Sequence, residues 1–112
     1  PLDYDTAIEE YGGDEDFLLE VINGFLTKAL EQIETIRKAL KDNDTEAIMR
    51  EAHSIKGAAA NLMAEDLLSA ASQLEQAAIA GTLQAGPVMV ERLHTEIARI
   101  SDFVEVISSA KP

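Results

Sequence analysis

From Glu15 to about Lys41 the apolar residues fall at Leu18, Ile22, Phe25, Ala29, Ile33, Ile36 and Leu40, three or four apart throughout. No other feature constrains the fold as tightly. The spacing demands one helix on the order of 40 Å long, and an apolar stripe of that length must be covered along its whole extent. Two later stretches carry the same period: Leu67, Leu68, Ala71, Leu74 and Ala78 within Glu65 to Ala80, then Val90, Leu93, Ile97, Ile100, Val104 and Ile107. Between them and the first helix, Ile48, Ala52, Ile55, Ala59 and Leu62 form one more stripe. Strand-like alternation is absent, and so are repeats.

The connections agree with this pattern. Tyr4, Ala7, Ile8 and Tyr11 outline a short helix over Asp3 to Tyr11, ended by Gly12-Gly13, with Asp14 an N-cap for the long helix. Asn23-Gly24 lies inside the long periodic run, where it predicts a slight kink and not a hairpin. Asp42-Asn43-Asp44 reads as a turn, with Asn43 and Glu46 spaced as a capping box. Gly81 closes the next helix, Thr82 to Gly86 forms a loop, and Pro87 suits the first turn of the last helix. Short loops between long helices predict an all-α chain: an antiparallel up-down four-helix bundle, with the short N-terminal helix as a lid over one end.

With 112 residues the chain is expected to form a single domain, 1–112, as a monomer whose bundle completes its own core. Its opening proline suggests a module excised from, or equivalent to part of, a larger signalling protein. The net charge of −12 argues against nucleic acid and against anionic membrane surfaces, both of which require a basic face. No run of apolar residues is long enough for a membrane span, and Pro1 to Glu10 does not read as a signal peptide. A cytoplasmic location is the expectation, and the lack of cysteine is compatible with it.

The candidate site lies on the second long helix. At about 100° per residue, the stripe through Ile48 and Leu62 is centred roughly 140° from His53. Met49, Arg50, Lys56, Gly57 and Ala60 fall within about 60° of the histidine. The imidazole is therefore turned away from the core, with a cation one turn along and bare backbone beside it. Imidazole has an ordinary pKa of about 6.5, so its neutral, nucleophilic form is available near pH 7 and can make a covalent phospho-intermediate. Lys56 can offset phosphoryl charge as a flexible point cation. Gly57 costs about 1 kcal/mol relative to alanine in mid-helix, and its bareness gives an approaching partner clearance that Ala60 extends. Met49 and Met63 flank the site as candidates for an apolar docking surface.

Ala52-His53-x-x-Lys56-Gly57-x-x-x-Asn61-Leu62, followed by Leu74-Glu75, closely resembles the histidine-containing phosphotransfer (HPt) domains of bacterial multistep phosphorelays. The resemblance implies that His53 accepts a phosphoryl group from one receiver aspartate and passes it to another. It also implies response-regulator receiver domains as partners, with or without a hybrid sensor histidine kinase. Mg²⁺ is expected in the receiver only, and neither cofactor nor metal in this chain. One departure is Met63, where the family usually has glycine; Asn61 is then expected to take the left-handed position that ends the helix.

No Gly-rich phosphate loop or kinase signature is present, so the chain is read as a phosphocarrier without kinase or ATPase activity of its own. Two alternatives stay open: the phosphoacceptor domain of a chemotaxis-like histidine kinase, and an inert helical adaptor. A bundle metal site would need paired Glu-x-x-His motifs. Glu91 and His94 supply one, but Arg50 stands three before His53, and His94 reads as surface.

Overall fold

The computed structural model describes residues 2–110. Five helices follow in order: α1 (Tyr4–Glu10), α2 (Glu15–Lys41), α3 (Thr45–Asn61), α4 (Glu65–Ala80) and α5 (Gly86–Ala110). The packing runs α2 to α3, α3 to α4, α4 to α5 and α5 back to α2, a closed ring of neighbours. The architecture is the antiparallel bundle that the apolar stripes demand, with α1 laid across one end. Ala7 of α1 is fully buried, and Tyr4 meets Phe103 edge-on at 5.4 Å. The Asp3 N–H donates to the carbonyl of Met63. The first turn of α1 is thereby joined to the point where α3 ends.

Aspartates start three of the helices. Asp3, Asp14 and Asp44 accept hydrogen bonds from the N–H groups of Thr6, Phe17 and Ala47, each satisfying an otherwise unpaired donor of the first turn. Asp44, not Asn43, therefore caps α3, and the expected capping box is not formed. Asn43 instead ends α2: it sits at φ 53°, with the N–H of Asp44 reaching back to Ala39 and its own N–H to Leu40. Asparagine tolerates this left-handed position better than most residues with a side chain.

The end of α3 repeats that geometry with an unexpected residue. Asn61 stays helical, and Met63 takes the left-handed conformation at φ 58°. The N–H of Ala64 bonds Ala59 and that of Met63 bonds Ala60, the paired bonds of a Schellman stop. Burial sets this position: Leu62 and Ala64 are both drawn into the core, so the residue between them must make the reversal. Methionine adopts here the conformation that glycine takes at Gly81, where α4 ends.

The core follows the sequence stripes closely. Leu18, Ile22, Ile33, Ile36, Ile48, Ile55, Leu74, Leu93, Ile97 and Ile100 are buried together, while Phe25, Leu40, Leu68 and Ile107 are half-buried at its margins. His94 is half-buried too, not plainly exposed. α2 runs unbroken through Asn23-Gly24. α3 and α4 form the most intimate pair, because buried alanines on both (Ala52 and Ala59; Ala71 and Ala78) let the backbones approach. That closeness matters for the site.

Candidate functional site

His53 sits at the middle of α3 with its side chain 70% exposed, on the side that the helical period predicts. What periodicity did not supply is a partner. Nδ1 of His53 lies 2.6 Å from Oε2 of Glu75 on α4, and the ammonium of Lys56 bonds the other oxygen, Oε1. Only 7% of the Glu75 side chain is exposed. The carboxylate is thus buried between two helices with one cation and one imidazole for company. A buried carboxyl without partners would be costly, and here both oxygens are satisfied.

The protonation state of this cluster follows from its geometry. Hydrogen bonding to Lys56 pulls the Glu75 carboxyl below its ordinary value; burial pushes the other way, and the bond to His53 adds to the lowering. An ionised carboxylate can only accept. Nδ1 therefore donates, the neutral ring carries its proton there, and Nε2 keeps its lone pair. Among the described residues no hydrogen bond engages Nε2. An exposed imidazole held by one nitrogen, with the other free, is arranged for nucleophilic attack from solvent.

The remaining residues of the sequence motif divide between two shallow depressions. Met49 and Arg50 border one of them together with Glu46, His53 and Glu75. Ala60 and Met63 border another nearer α1, with Asp3, Ala59, Ala64, Glu65 and Leu68. Gly57 lies between them on α3. A methyl group built on Gly57 would meet nothing within 4 Å. Its glycine is therefore required neither by helix packing nor by backbone conformation. Relief of helix crowding, the ordinary reason for a mid-helix glycine, does not apply.

Glu75 is the residue whose role the sequence analysis did not assign. Its signal was nevertheless present. Leu68, Ala71, Glu75 and Ala78 share one face of α4 at three- and four-residue spacing, so the acid interrupts an otherwise apolar flank. A carboxylate in such a place needs partners from a neighbouring helix, and the sequence does not say which helix that is.

Comparison with known proteins bears on the fold and the family. The family model described as the Hpt domain matches residues 20–103. Histidine-containing phosphotransfer protein B from Pseudomonas aeruginosa PAO1 superposes with a TM-score of 0.88 at 25% identity, covering 99% of this chain and 96% of that one. The HPT domain of an Hpt sensor hybrid histidine kinase from Shewanella has a TM-score of 0.79 at 20% identity, covering 98% and 95%, which shows the shared fold. No curated protein sequence matches significantly. With a solvent-facing histidine on the second long helix and the family match spanning most of its length, this chain belongs to the Hpt family, the phosphotransfer domains of two-component phosphorelays.

Proposed function

We propose that His53 accepts a phosphoryl group from the aspartyl phosphate of one receiver domain and passes it to the aspartate of another. All 112 residues are read as one phosphocarrier module, acting as a monomer and without kinase or ATPase activity of its own. The single observation that carries the proposal is the Nδ1 to Glu75 hydrogen bond of 2.6 Å, which leaves Nε2 as the free nucleophile on an exposed ring.

The transfer balances without a proton moving. The Nε2 lone pair attacks phosphorus, the acyl-phosphate P–O bond breaks, and its electron pair departs with the donor's carboxylate. The ring, still carrying its Nδ1 proton, becomes a phospho-imidazolium whose positive charge faces the Glu75 carboxylate. Onward transfer reverses the sequence: the acceptor aspartate's oxygen attacks phosphorus, and the N–P electron pair returns to Nε2. Lys56 stands one turn from the ring to offset phosphoryl charge, and the receiver's own acidic pocket with its Mg²⁺ supplies the rest. Gly57 and Ala60 give the clearance that in-line approach requires, because positioning is most of the catalysis in such a transfer. Arg50, Met49 and Met63 are the flanking groups proposed to meet the receiver.

Incubation of the chain with a phosphorylated receiver tests this. The expected result is an acid-labile, alkali-stable label on the wild-type chain and none on His53→Gln. A label that persists on that variant, or none on the wild type with several competent receivers, overturns the proposal and favours an inert adaptor.

A further inference from the structure

α2 and α5 close the ring of helices on the side away from α3 and α4, and a depression of about 460 Å³ lies between the end of one and the start of the other. Leu40, Pro87 and Val90 form its apolar floor. Next to Pro87, Gly86 is buried, and a methyl group built on it would come within 2.7 Å of Leu40. The bare backbone lets α5 begin directly against α2. Arg37, Lys38 and Lys41 stand at the rim with Glu34 and Glu91. Arg37 reaches both acids, at 2.6 and 2.9 Å. Lys38 and Lys41 are exposed and, among the described residues, form no ion pair.

Cations thus outnumber acids at this rim, in a chain of net charge −12. The depressions on either side of Gly57 differ: Asp3 and Glu65 border one, and Glu46 and Glu75 oppose Arg50 at the other. The last turn of a helix favours lysine through its dipole. That accounts for the charges on α2 but not for the apolar floor open beside them. An inorganic anion would use the lysines and leave the floor wet. A nucleic acid or an anionic membrane would meet Glu34, Glu91 and the acidic remainder of the chain. A short polypeptide segment with apolar side chains between carboxylates matches both features.

We propose that this groove docks an acidic amphipathic peptide segment of a partner protein, with apolar side chains on Leu40, Pro87 and Val90 and carboxylates on Lys38 and Lys41. None of these residues borders His53. The segment and a receiver can therefore be held at the same time, on opposite sides of the bundle. A partner anchored here stays near the histidine at high effective concentration without covering it.

Titration of the ¹⁵N-labelled chain with a capped six-residue peptide, two leucines between pairs of glutamates, tests this by ¹H–¹⁵N NMR. Saturable shifts are expected at the amides of Leu40, Lys41, Val90 and Glu91 and not at His53. Lys38→Glu combined with Lys41→Glu should weaken binding about tenfold or more. Exchanging the peptide's leucines for serines, or its glutamates for lysines, should abolish the shifts. Shifts centred on His53, no shifts at millimolar peptide, or equal binding of the serine peptide overturns the proposal. So do shifts at the groove on concentrating the chain alone, which would make a second copy the occupant. Labelling of His53 by phosphoramidate should proceed at the wild-type rate in the double variant, and its loss would join the lysines to the histidine's chemistry and overturn the separation of the two faces. The relay reading fails separately, if the wild type binds the peptide yet never takes label from a phosphorylated receiver.

Discussion

Glu75 places Oε2 2.6 Å from Nδ1 of His53 although the two residues stand on different helices and differ sharply in exposure, 7% against 70% of the side chain. One member of the pair is fixed by the core and the other is open to partners. The bundle can therefore set the orientation and proton of the imidazole from below while leaving its outer nitrogen free. This resembles the way a buried carboxylate orients a catalytic or metal-bound histidine elsewhere.

Glu75→Gln should reduce phosphoryl acceptance about 10- to 100-fold, the usual range for removing a histidine's orienting partner. Lys56 has only donors to offer, so it claims the amide oxygen and turns the amide NH₂ toward Nδ1. Nδ1 must then accept, and the ring proton moves to Nε2. Rates of label uptake from a phosphorylated receiver measure the loss; an unchanged rate would remove the carboxylate from the mechanism.

Gly57 separates folding from docking. Since nothing lies within 4 Å of an added methyl, Gly57→Ala should stabilise the chain by about 0.5–1 kcal/mol through helix propensity alone. Gly57→Leu fills the clearance and should slow transfer from the receiver while leaving phosphorylation by phosphoramidate, a small direct donor, near wild type. Thermal denaturation and the two labelling rates check both halves. Equal slowing with both donors would assign Gly57 to the chemistry and not to the approach.

His53→Gln should abolish labelling yet change stability by about 1 kcal/mol or less, as expected for an exposed position. A glutamine NH₂ can still donate to Glu75, which keeps the buried carboxylate partnered. Circular dichroism and denaturant midpoints measure this, and a large loss of stability would show the histidine to be structural.

Glu75 also gives the fold a pH dependence of known sign. Its folded-state pKa is depressed, chiefly by Lys56, below an ordinary value of 4.5. The stabilisation is therefore complete above about pH 4.5 and disappears as pH falls from there through the folded-state value. The stability advantage of wild type over Glu75→Gln should shrink on acidification below that threshold. Denaturation curves of both proteins at about pH 5 and about pH 3 decide it; an advantage that grew between the two would reverse the assigned sign.

Much of this molecule can be read directly from the order of its residues. The stripe from Leu18 to Leu40 requires a long helix, the stripes after it require companions, and short turns force them antiparallel. His53, Lys56 and Gly57 fall off the α3 stripe by arithmetic alone, because α-helical spacing fixes which way a side chain leaves the axis. Local choices among similar residues were less legible. Whether Asn43 or Asp44 caps α3, and whether Asn61 or Met63 ends it, depends on which residue the core pulls inward. Leu62 and Ala64 are buried, and that settles the reversal at Met63 despite the side-chain cost.

The pairing of Glu75 with His53 and Lys56 belongs to tertiary structure alone. The residues are 22 and 19 positions apart, on helices whose relative height and rotation come from alanine packing between α3 and α4. Sequence spacing determines directions about one helix axis and carries no information on the register between two. The amino-acid order therefore determined that an imidazole would face outward. Only the docking of α4 decided which of its nitrogens would be free to react.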